Sequence, residues 1–152
     1  MNTATFEESK WINASPAVVY NLLADYKNGH PTILPKPYFT DLRVVEGGIG
    51  AGTVIDVDME VFGVKRTLHM EVTEPEKGRV IVEADHEAGT ITHLICDPVD
   101  NGCLLTIRTT MQFGNGVMGF MEKLTTPRIT RSIYRKELEL IAERCEEMRQ
   151  PA

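Results

Sequence analysis

The apolar positions of this chain follow a period of two, then a helical period, then a period of two through most of its length, and a helical period at the end. Phe6 to Asn13, "FEESKWIN", alternates in a strand-like way and stops at Ala14-Ser15-Pro16. Ser15 is a good N-cap and Pro16 suits the first helical position. Val18, Val19, Leu22, Leu23 and Tyr26 recur at helical spacing, which predicts a short helix to about Tyr26. The following "NGHPTILPKP" is dense in turn residues and leaves room for one helical turn around Thr32 to Leu34.

From Phe39 the pattern is that of strands. Phe39 to Glu46 ends at the glycine-rich "GGIGAG", and Thr53 to Val61 alternates cleanly. There Ile55, Val57, Met59 and Val61 share one face, with Asp56, Asp58 and Glu60 on the other. Turns at "FG", "EPEKG", Gly89 and "DPVDNG" separate further strands at Val64 to Thr73, Arg79 to Asp85, Thr90 to Cys96 and Cys103 to Phe113. Strands with such short connections form an antiparallel meander. Alternation turns Val64, Arg66, Leu68, Met70 and Val72 inward on one strand, and Cys103, Leu105, Ile107, Thr109, Met111 and Phe113 on the last. On Arg79 to Asp85 the inward set includes Val82. For Thr90 to Cys96, Ile91, His93 and Ile95 are the better inward set on apolar content.

The last segment returns to a helical period in two unlike halves. At about 100° per residue, Val117, Phe120, Met121 and Leu124 form one stripe. Tyr134, Leu138, Ile141, Cys145 and Met148 form another, about a quarter turn away. A straight helix would not hold both against one sheet. Thr126 as N-cap and Pro127 at the first position would begin a new helix, whereas an interior Pro127 would kink one. Ile129 and Ile133 fall opposite both stripes in a straight-helix count and stay unassigned. The segment reads as a packing half, Tyr134 to Met148, and a movable lid, Val117 to Leu124, over a pocket.

An antiparallel sheet with one apolar face needs a cover, and the C-terminal helix is the only element large enough to supply it. The expected fold is α+β: a curved antiparallel sheet of about seven strands wrapped around that helix, with two short helices after the first strand. A length of 152 residues without repeats or linkers fits a single domain over 1–152.

Composition narrows the function. A net charge of −6 counts against nucleic acid as a partner, although Arg128, Arg131, Arg135 and Lys136 form a local basic patch. The N-terminus lacks the apolar core of a secretory signal, and no apolar run approaches the ~20 residues of a membrane span, so no stable membrane insertion is expected. Cys96, Cys103 and Cys145, odd in number and without CxxC spacing, read as free thiols in the cytoplasm. The four histidines lack paired ligand spacing, so no metal is expected. "GGIGAG" precedes a strand and not a helix, so it offers no phosphate cradle and no other cofactor motif appears. It reads as a flexible loop at a cavity mouth.

"INASPAVVYNLLADY", "VVEGGIGAGT", "VTEPEKGRVIVEA" and "YRKELELIAE", taken with the element order, resemble the Bet v 1-like or START-like (SRPBCC) superfamily, in particular its polyketide cyclase/dehydrase-like branch. That resemblance implies a helix-grip fold enclosing a cavity between sheet and long helix. It also implies a hydrophobic small-molecule ligand such as a lipid, polyketide or quinone. Fold alone does not choose among carriers, cyclases and interaction modules.

The expected cavity wall comprises Leu34, Tyr38, Ile55, Val57, Met59 and Arg66 at its first strands. It continues through Leu68, Met70, Val82, His93, Ile107, Thr109, Met111 and Phe113, and is closed by Val117, Phe120, Met121 and Leu124. Met59, Met70, Met111, Met118 and Met121 would make it pliable, although methionines also fill ordinary cores. Arg66 and His93 are the catalytic candidates, as enolate stabiliser and acid-base group. Each has a plainer reading: Arg66 snorkels from the open end of its strand, and His93 is a hydrogen-bonded core histidine. The leading expectation is a soluble binding protein for a hydrophobic small molecule. A polyketide cyclase or dehydratase and a protein-interaction module are the alternatives.

Overall fold

The computed structural model describes residues 2–113 and 117–149, with side chains over 3–113 and 126–149. Strand β1 (Asn2–Ile12) leads to helix α1 (Pro16–Ala24) and a short 3-10 helix (His30–Ile33). A meander follows: β2 (Phe39–Glu46), β3 (Val54–Val61), β4 (Val64–Glu76), β5 (Val80–Asp85), β6 (Thr90–Val99) and β7 (Gly102–Phe113). Helix α2 (Val117–Arg149) closes the chain.

The strands form one seven-stranded antiparallel sheet in the order β1-β7-β6-β5-β4-β3-β2. Chain order is kept except that β1 returns beside β7. Helix α2 lies over β1 and β7 and touches α1 and the 3-10 helix. This is the expected helix-grip arrangement, and the core lies between the inner face of the sheet and the helices.

Local chemistry sets the elements. The Ser15 side chain accepts from the Val18 N–H at 3.3 Å, with Pro16 opening α1. At the β6–β7 hairpin Asp100 and Asn101 both have positive φ and Val99 pairs with Gly102, the two-residue geometry that matches strand twist. The glycine-rich loop is not free. Tyr26 N–H donates to Gly48 O, Gly50 N–H to Ala24 O, and Ala51 N–H to the Glu74 carboxylate. Gly50 has φ +62°, and a Cβ there would strike Glu74. The loop ties the end of α1 to β4, and none of its residues lines a cavity.

Two expected strand faces are corrected. First, the inner face of β6 carries Thr90, Thr92, Leu94 and Cys96, all buried, so Ile91, His93 and Ile95 face outward. Hairpin register decides this: Leu94 pairs with Ile107 and Cys96 with Leu105, and directly paired residues share a face. Secondly, the same register places Ile81, Glu83 and Asp85 of β5 inward beside Leu94, Thr92 and Thr90, which sends Val82 outward beside His93. Of the two alternatives at Pro127, the structure has the interior one: α2 runs unbroken through it, and no second helix starts at Thr126. Ile133 is buried in the core and Ile129 is half-buried against it. The proposed lid, Val117 to Leu124, is helical in backbone, and its side chains lie outside the described residues.

Candidate functional site

Between the sheet and α2 lies an apolar chamber of about 90 Å³. Ile55, Val57, Leu68, Met70, Leu94 and Ile107 form much of its wall. An outer chamber of about 480 Å³ is bounded by Val61, Val64, Arg66, Ala88, Phe113 and Ile129. Met59, Leu68, Thr90, Met111, Thr130 and Ile133 border both chambers, so the two adjoin.

The inner end is polar. The 3-10 helix supplies His30, β5 supplies Glu83, β6 supplies Thr90 and Thr92, and one face of α2 supplies Thr130, Tyr134 and Glu137. Tyr26 O–H donates to Glu83 at 2.6 Å, its ring stacked on His30 with centroids 4.6 Å apart. His30 Nδ1 lies 2.8 Å from the Leu23 carbonyl; a carbonyl only accepts, so this nitrogen carries the proton. His30 Nε2 is 3.7 Å from the Glu83 carboxylate. Thr92 and Thr109 hydroxyls are bonded at 2.8 Å, and Thr109 is also bonded to Tyr134 O–H, tying β6, β7 and α2 together.

Electrostatics follow from burial. Burial first, and then the charge of Glu83, push the Glu137 carboxyl up to about 8. The Tyr26 hydroxyl is raised well above its ordinary value by burial and then by Glu83. The Tyr134 hydroxyl is raised chiefly by burial. An acid held neutral near neutrality beside an anionic one is an arrangement able to hold or move a proton. Among the described residues no group of three His, Cys, Asp or Glu side chains is arranged to hold a metal ion.

The profile of the family described as polyketide cyclase / dehydrase and lipid transport matches residues 3–146. The chain belongs to this family. Among solved structures it is similar to the KanY protein, with 28% identity, a TM-score of 0.84, and 96% of this chain and 99% of that one covered. The Zhui aromatase/cyclase from Streptomyces sp. R1128 is similar in fold at 12% identity and a TM-score of 0.78, covering 98% and 97% of the two chains. Ara h 8.0201 shares the fold at 15% identity and a TM-score of 0.62, over 93% and 99%. A comparison with curated proteins returned no match. No described helix of this family member is long and apolar enough to cross a membrane.

The structure gathers many of the residues expected at the cavity. Leu34, Ile55, Val57, Met59, Leu68, Met70, Ile107 and Met111 border the inner chamber, and Arg66 and Phe113 the outer one. Arg66 is exposed at the open end of β4, as a snorkelling side chain would be. Thr109 faces inward but is sealed behind Tyr134. Tyr38 lies beneath the Lys136 ammonium, 5.0 Å from its ring centre, and its neighbour Phe39 borders the cavity in its place. Val82 and His93 face away from the cavity, so His93 cannot reach a ligand inside it. Val117, Phe120, Met121 and Leu124 lie outside the described side chains.

Glu83 and Thr92 escape a sequence reading because apolar content misassigns the faces of β5 and β6. His30 sits in a turn-rich segment, Glu137 is a polar position beside an apolar stripe, and Tyr134 reads there only as a packing residue. A signal existed for part of the set. Reading "DN" as a two-residue turn fixes the β6–β7 register and turns Thr92 inward.

Proposed function

We propose that this protein binds a hydrophobic small molecule in the cavity between the sheet and α2. The observation that carries the proposal is the pair of adjoining chambers between the sheet and α2. A largely apolar chamber left unfilled next to a larger one that Val64 and Arg66 border is what a ligand site needs and a filled core lacks. Met59, Met70 and Met111 border it, and thioethers accommodate irregular apolar shapes. The family description and the fold shared with an aromatase/cyclase agree with a ligand of lipid or polyketide type. Thermal-shift screening of fatty acids, quinones and polycyclic aromatics is the test: binding raises the melting temperature with ligand concentration. A panel that leaves it unmoved at every concentration counts against the proposal.

A second reading, a polyketide cyclase or dehydratase, is supported by the ionisable groups at the inner end. Glu137, neutral up to about pH 8, has the proton a dehydration would need, and the His30–Glu83 pair is an acceptor on the facing wall. In this reading Arg66 at the mouth is a binding group. Turnover of a linear poly-β-ketone analogue that survives both Glu137→Gln and His30→Gln would remove it.

A further inference from the structure

The inner end of the cavity holds four ionisable side chains, and among the described residues no Lys or Arg belongs to its wall. They differ in what already satisfies them. Glu83 accepts from Tyr26, His30 is committed to the Leu23 carbonyl, and Tyr134 to Thr109. Glu137 is 6% exposed, borders the same chamber from the opposite wall, and makes no hydrogen bond among the described residues. A bare carboxyl in an apolar enclosure is costly until a donor meets it. The wall also carries Leu94, Ile107 and Ile133, which accept only apolar surface.

We propose that this end of the cavity is a subsite for a protonated primary amine carried on an apolar ligand, with Glu137 as its hydrogen-bonded counter-ion and Glu83 as a second negative charge facing it. The proposal rests on the cavity's being a ligand site and names the chemistry of the ligand's buried end. An ammonium supplies N–H donors and offsets the two carboxylates, whereas an anionic head would bring no positive charge to either. The titratable groups that face Glu137 are Glu83 from β5, His30 from the 3-10 helix, Tyr26 beyond α1, and Tyr134 from its own helix.

The sign of the pH dependence follows. Without ligand Glu137 is neutral below about 8, and pairing with an ammonium requires its carboxylate, so binding releases a proton. Amine affinity therefore rises between about pH 6 and pH 8, by up to about tenfold per unit. A ketone ligand taking a hydrogen bond from neutral Glu137 would show the opposite trend.

Calorimetric titration with 2-(naphthalen-2-yl)ethylamine and the matching alcohol tests this on the native chain and on Glu137→Gln. The amine is expected to bind native protein about tenfold or more tighter than the alcohol near pH 8, with that ratio shrinking towards pH 6. In Glu137→Gln the ratio is expected to fall below about threefold. An amine that binds native protein no tighter than the alcohol, a ratio that falls with rising pH, or a ratio retained in Glu137→Gln overturns the amine subsite. Alcohol binding in those cases leaves the cavity as a ligand site. Binding of neither probe overturns both. The pH series uses native protein alone, so it decides the matter even where the variant folds poorly.

Discussion

Glu83 and Glu137 reach one cavity end from opposite walls, one carboxylate held by the Tyr26 hydroxyl at 2.6 Å and the other held by no described residue. The asymmetry has a consequence for stability. The Glu137 carboxyl is raised from 4.5 to about 8 on folding, so the folded state binds the extra proton between those values. Stability from this group is full below about pH 4.5 and is lost as pH rises to about 8, by roughly 4 kcal/mol across the window. Glu137→Gln should flatten that decline and raise the melting temperature near pH 8. Thermal melts of both proteins from about pH 5 to pH 8 measure it, and parallel curves would refute the burial of the acid.

Tyr26→Phe removes the one hydroxyl that donates to Glu83. A buried carboxylate that loses such a donor costs about 1–3 kcal/mol. Urea unfolding should show that loss with an unchanged slope. An unaltered midpoint would mean that water replaces the phenol.

The path of α2 through Pro127 predicts an unequal pair. Ile133 is 2% exposed and Ile129 only half-buried. Ile133→Ala should cost about 2–5 kcal/mol and Ile129→Ala clearly less. Chemical denaturation of the two variants checks the order, and equal losses would mean that the helix presents a different face.

His93 faces outward beside Val82, so His93→Ala should leave ligand affinity unchanged. Met59 borders both chambers, and Met59→Trp should lower the affinity for any apolar ligand by about tenfold or more through simple obstruction. Titrations with the naphthyl alcohol separate the two. A large effect at His93 would contradict the register of β5 and β6.

On the outer face His69 pairs with Asp56, which lies opposite it across β3 and β4. The hydrogen bond to that carboxylate raises the imidazole above its ordinary value of 6.5. Proton NMR titration should show it, with a return towards 6.5 in Asp56→Asn.

Element order, the N-cap at Ser15 and the inner faces of β3, β4 and β7 were legible because each follows from local chemistry: clean alternation, a capping serine before proline, short turns. The faces of β5 and β6 were not. Ile91 and Ile95 are apolar on the outer face, while Glu83, Thr90 and Thr92 are polar on the inner one, so apolar content pointed the wrong way. The cost of those polar groups is met by partners distant in sequence: Tyr26 for Glu83, Thr109 and through it Tyr134 for Thr92. No local pattern reports such pairs. The sequence leaves Pro127 undecided between a helix start and a helix interior for a related reason, since packing of α2 on β1 and β7 can offset what proline removes from an isolated helix.

The central claim is that an apolar molecule occupies the cavity between sheet and α2. Its most direct test is an amide NMR titration of the full chain with 2-(naphthalen-2-yl)ethanol. Saturable shifts are expected at Leu68, Met70, Thr92, Leu94 and Ile133, which border the cavity from three sides. Shifts confined to outward positions such as Val82, Ile91 and Ile95, or no saturable shift at all, would contradict it.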